Sequence, residues 1–72
     1  MTKDLIFAVY DVIDQFSGPV EIVAKDGGRR LAITFDIRYK AQAFAIMLKE
    51  ELTKRKISGT VRRVNRYQVD VA

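Results

Sequence analysis

From Arg29 to Arg38 an extended chain sends Leu31, Ile33, Phe35 and Ile37 one way and Arg30, Ala32, Thr34, Asp36 and Arg38 the other. A period of two with one apolar row is the pattern of a half-buried strand. It commits the chain to a sheet whose apolar face another layer must cover. Asp26-Gly27-Gly28, just upstream, is a hairpin signal, because glycine accepts the positive φ of tight turns. Val20–Lys25 is then the partner strand, with Val20, Ile22 and Ala24 on one face and Glu21, Val23 and Lys25 on the other. Thr60–Arg63 and Arg66–Val71 read as a second hairpin turning at Val64-Asn65, where asparagine tolerates left-handed backbone. In that hairpin Tyr67, Val69 and Val71 face inward, and Arg66, Gln68 and Asp70 face outward.

Two helical segments supply the covering layer. Between Tyr39 and Lys56, Ala41, Phe44, Ala45, Leu48 and Leu52 form a stripe about 100° wide, the width of a helix packed once on a sheet. Tyr39, Ala43 and Ile46 lie off that stripe and offer a small second contact. Ser58-Gly59 ends this helix. The segment Asp4–Ser17 is greasier. Leu5, Ile6, Ala8, Val9, Tyr10, Val12, Ile13 and Phe16 cover roughly 200° of its circumference, and Gly18-Pro19 stops it. If Ile6, Val9 and Ile13 rest on the sheet, then Leu5, Ala8, Val12 and Phe16 want a partner, and Ala8 is small enough to admit a second helix. Alternatively, a small core simply wraps more of this helix. The pattern leaves both open.

The order is therefore α-β-β-α-β-β, a single α+β domain over residues 1–72. It reads as a two-layer sandwich, with a four-stranded antiparallel sheet and two helices on one face. A chain of 72 residues buries only about 60% of its unfolded surface, and such domains often add disulfides, metals or self-association. The sequence contains no cysteine and no histidine, which removes disulfides, ordinary zinc sites, haem ligation and cysteine- or histidine-assisted nucleophiles. Self-association remains, and a homodimer through Leu5, Ala8, Val12 and Phe16 is the expectation. No apolar run approaches the roughly 18–20 residues of a membrane span. Met1-Thr2-Lys3-Asp4 lacks a secretory pattern, and the absence of cysteine fits a cytoplasmic location.

Charge points toward a ligand. Residues 1–36 carry four bases against six acids, whereas residues 37–72 carry nine bases against three acids. From Lys54 to Arg66 there are six bases and no acid. Such an excess attracts polyanions, although a solvated surface also carries charge for solubility. The open sheet face is expected to show Glu21, Lys25, Arg30, Thr34, Arg38, Thr60, Arg62, Arg66, Gln68 and Asp70. Strand-borne Arg, Thr and Gln are side chains that reach phosphates and base edges.

The α-β-β-α-β-β order with an over-apolar first helix resembles half of a LAGLIDADG homing endonuclease. Val12-Ile13-Asp14-Gln15-Phe16-Ser17, leading into Val20-Glu21-Ile22, matches the second half of the name motif loosely. Ala32-Ile33-Thr34-Phe35-Asp36-Ile37-Arg38 followed by a helix is also family-like. The resemblance implies paired first helices at a dimer axis and a sheet saddle over the DNA major groove. Phe16 stands where the family has its metal-binding acid, and Asp11 where it has a close-packing glycine. What carries over is the fold and the binding mode, without the nuclease activity. Asp11 and Asp14, one turn apart, are the remaining candidates for a metal, but two acids on a polar helix face are normally solvated.

The expectation is thus a non-enzymatic nucleic-acid-binding homodimer of regulatory type, DNA favoured over RNA, needing no metal or cofactor. Its contacts are assigned to Lys25, Arg30, Thr34, Arg38, Lys54, Arg55, Lys56, Arg62, Arg63, Arg66 and Gln68. The alternatives are a protein-interaction module or small subunit that docks an acidic partner and, more remotely, a metal-dependent nuclease resting on Asp11 or Asp14.

Overall fold

The computed structural model describes residues 1–72. The chain forms α1 (Lys3–Ile13), β1 (Val20–Lys25), a 3-10 turn (Asp26–Gly28), β2 (Arg30–Phe35), α2 (Arg38–Arg55), β3 (Val61–Arg63) and β4 (Gln68–Val71). The four strands make one sheet in the order β1-β2-β4-β3, with every neighbouring pair antiparallel. The α+β arrangement is the one expected from periodicity.

Each boundary has a local cause. Thr2 caps α1, its Oγ1 accepting the Leu5 N–H at 3.2 Å, which satisfies one of the free donors of the first turn. Gly18, at φ +90°, turns the chain out of α1 towards β1. The β1–β2 connection bends through Asp26, Gly27 and Gly28, all at positive φ. Helix α2 closes with Lys56 in the left-handed region, its N–H bonded to the carbonyls of Leu52 and Thr53. The β3–β4 turn differs from expectation. Asn65 does not adopt positive φ; its Oδ1 accepts the N–H groups of Tyr67 (2.9 Å) and Gln68 (3.0 Å) instead. This side-chain turn delays β4 to Gln68 and leaves Arg66 in the turn.

The core lies between the sheet and the helices. Val9, Val12, Ile33, Phe44, Leu48, Val69 and Val71 are its largest fully buried side chains. Phe16, Phe35 and Phe44 form an aromatic cluster with centroids 5.2 to 6.3 Å apart, in tilted and edge-on geometry. No polar or charged residue is fully buried. The expected stripe of α2, Ala41, Phe44, Ala45, Leu48 and Leu52, is buried throughout.

The dimer seam assigned to α1 needs correction. Leu5, Ala8 and Val12 are at most 3% exposed within one chain, and Phe16 packs on Phe35 and Phe44. The chain's own α2 takes the position reserved for a second copy: α1 packs against α2, and α2 lies over β2, β4 and β3. The wide apolar arc of α1 is used by a small core that wraps it.

Hydrogen-bond direction in β2 fixes which groups of β1 stay free. The Phe35 N–H donates to the Tyr67 carbonyl at 2.8 Å, so the polar groups of Leu31, Ile33 and Phe35 point towards β4. Those of Arg30, Ala32 and Thr34 therefore point towards Lys25, Val23 and Glu21 of β1. Along β1 the N–H and C=O groups of Val20, Ile22 and Ala24 are left facing away from the sheet, on its free edge.

Candidate nucleic-acid interface

Strand register determines which of the expected side chains share the open face. Opposed pairs place Glu21, Val23 and Lys25 beside Thr34, Ala32 and Arg30; Gln68 and Asp70 follow on β4, and Arg62 on β3. Lys25, Arg30, Thr34, Arg62 and Gln68 are thus brought to one face.

The other expected contacts lie elsewhere. Arg38 opens α2, because β2 ends at Phe35 rather than Ile37. Arg63 pairs with Val69 and so lies on the helix side of β3. Arg66 is in the β3–β4 turn, and Lys54, Arg55 and Lys56 are at the C-terminal end of α2. Lys25 lies on the opposite edge strand, β1, so only the bases of β3, the β3–β4 turn and the end of α2 form a connected flank. Lys49, which no sequence pattern singles out, joins it.

On the open face a polar network takes up the central arginine. Arg30 Nε donates to Asp26 at 3.0 Å, Arg30 Nη1 donates to Asp70, and Gln68 Nε2 donates to Asp70 Oδ1 at 2.9 Å. The network lies over Ala32, which is buried on a face the sequence left open. Burial works to raise the Asp70 carboxyl. The hydrogen bonds from Gln68 and Arg30 and the charges of Arg30 and Arg62 outweigh it, so Asp70 is held below its ordinary value. Arg30 is raised in return, first by the bond to Asp70 and then by that to Asp26. Arg55 is likewise engaged, 2.9 Å from Asp11 and 2.8 Å from Glu51. That places Asp11, one of the two metal candidates, in an ion pair.

Lys54, Lys56, Arg62, Arg63 and Arg66 differ: each is exposed, and none has a carboxylate within 4.0 Å. Between the end of α2 and β3 runs an open cleft of about 600 Å³, with Lys49 and Lys56 beside the hydroxyls of Thr53, Ser58 and Thr60. Leu52, Ile57 and Val61 are its apolar lining. A second hollow, on the open face, sets Arg30 and Arg62 around Asp70 and Thr60. Five bases without an ion-pair partner gather on the flank formed by β3, the β3–β4 turn and the end of α2, where Arg62 also acts on Asp70 across the strand pair.

Comparison with protein-family models, curated proteins and solved structures found no match to this chain. No helix is long and apolar enough to cross a membrane.

Proposed function

We propose that this protein binds nucleic acid, duplex DNA first, through the basic flank rather than through the centre of its sheet. The observation that carries the reading is the lack of neutralising partners at Lys54, Lys56, Arg62, Arg63 and Arg66, when the cations of Arg30, Lys40 and Arg55 are all paired. Free arginine and lysine heads gain more from a phosphate than heads already bonded to carboxylates. The open face carries no aromatic side chain on which unpaired bases stack, which favours a duplex over a single strand. The protein acts by occupancy and carries no catalytic role in this reading; a regulatory role follows from that.

The test is a fluorescence titration of a short labelled duplex from low to moderate salt. Affinity should fall with a log–log slope of about −0.9 per phosphate neutralised. Arg62→Ala and Arg66→Ala should each weaken binding and reduce the slope by about one. Arg30→Ala should leave the slope unchanged. No affinity for duplex, single strand or RNA at low salt overturns the reading.

A second reading rests on another surface. Tyr39 (71% exposed) and Ile46 (52% exposed) flank half-buried Ala43 on the outer side of α2. An apolar trio of this kind suits a protein partner. If Ile46→Lys abolishes function and leaves nucleic-acid affinity intact, the chain is an interaction module.

A further inference from the structure

The two edges of the sheet are built differently. Strand β3 is three residues long and carries Arg62 and Arg63, the short, charged form that discourages pairing. Strand β1 is six residues long, and its outward N–H and C=O groups at Val20, Ile22 and Ala24 have no partner strand. Helix α2 packs over β2, β4 and β3 but not β1. Ala24 is exposed and Ile22 only half-buried on the helix side of the sheet, and Val23 is exposed on the open side.

We propose that β1 pairs antiparallel with β1 of a second copy, about a two-fold axis at Val23, to give an eight-stranded sheet. Charge selects this register. With Val23 opposite the partner's Val23, Glu21 lies opposite the partner's Lys25, and Lys25 opposite the partner's Glu21. Neither side chain has an ion-pair partner within its own chain. Centring the axis on Ile22 puts Glu21 against valine. Centring it on Glu21 sets like charges together.

The backbone agrees. Ile22 and Ala24, whose polar groups point outward, become hydrogen-bonded pairs on both sides of the axis and supply four N–H···O=C bonds. Val23, whose groups point inward to β2, becomes the close, non-hydrogen-bonded pair. The pairing is between identical patches, as two-fold symmetry requires. It assigns Lys25 to the interface rather than to phosphate contacts. The inference extends the nucleic-acid reading to a symmetric binder, but its test contains no nucleic acid, so either can fail alone.

Light scattering should give twice the 8.2 kDa chain mass at low salt. Glu21→Lys and Lys25→Glu should each weaken the dimer by about tenfold or more, and the double exchange should restore it. The cysteine-free chain permits a second check. Val23→Cys should form a disulfide dimer on oxidation, since opposed residues of a non-hydrogen-bonded pair lie within bridging distance. Ile22→Cys should not. A monomer at all accessible concentrations overturns the proposal, as do failure of the double exchange in a folded variant and cross-linking at Ile22 in preference to Val23.

Discussion

Gly59 sits where a methyl group has no room. A Cβ there would lie 2.8 Å from Leu5 Cδ1 and 3.2 Å from Leu52 Cδ1, both buried. Gly59→Ala should cost about 1–3 kcal/mol through overpacking, seen as a lower denaturation midpoint with an unchanged m-value. Two carboxylates give the protein an acid limb. Asp36 is held below its ordinary value chiefly by the hydrogen bond from Lys40, whose Nζ also donates to the Ser17 carbonyl; Asp70 is held down by the open-face network. Both folded values lie below the unfolded ones, so their stabilisation is complete above the unfolded value, near pH 4. It is lost as pH falls through the folded values. Thermal midpoints should therefore drop below about pH 4, and less steeply in Asp36→Asn/Asp70→Asn. The Arg30–Asp70 contact joins residues forty positions apart. Nothing in either residue's neighbourhood announces it, which is why Arg30 reads in the sequence as a free contact.

Among the elements, α2 is the most legible in the sequence, because a narrow stripe has one possible use and the sheet supplies it. The same logic misjudges α1. Its arc of roughly 200° is too wide for one surface, but the choice between a second copy and its own α2 depends on where the chain returns. Periodicity does not encode that. Ala8 admits a second helix as its size suggests; the helix is α2. The end of α2 holds a different kind of information. Lys56 adopts φ +58°, a conformation that costs a side-chain-bearing residue about 1 kcal/mol. Lys56→Gly should therefore raise the thermal midpoint by several degrees. If Lys56 contacts phosphate as proposed, the same substitution weakens duplex binding, and a scan of stability against affinity separates the two effects.

For the whole molecule, the excess of positive charge is plain in the sequence, but its placement is not. Alternation lays the bases on one sheet face, because it treats every strand as flat and equally long. Ending β2 at Phe35 and starting β4 at Gln68 removes Arg38 and Arg66 from that face, and the acids at positions 26 and 70 neutralise Arg30. Of the bases that stay unpaired, Arg62, Arg63 and Arg66 collect with Lys54 and Lys56 on the β3 flank, while Lys25 and Arg38 lie away from it. The opposite margin, the outward row of Val20, Ile22 and Ala24, should be visible in the rate at which amide protons are lost to heavy water. In dilute protein those three should exchange fast while Glu21, Val23 and Lys25, bonded into β2, exchange slowly, a protection pattern with a period of two. As protein concentration rises, the Ile22 and Ala24 rates should fall to match their neighbours, and the midpoint of that change is a direct measure of how tightly two copies hold one another.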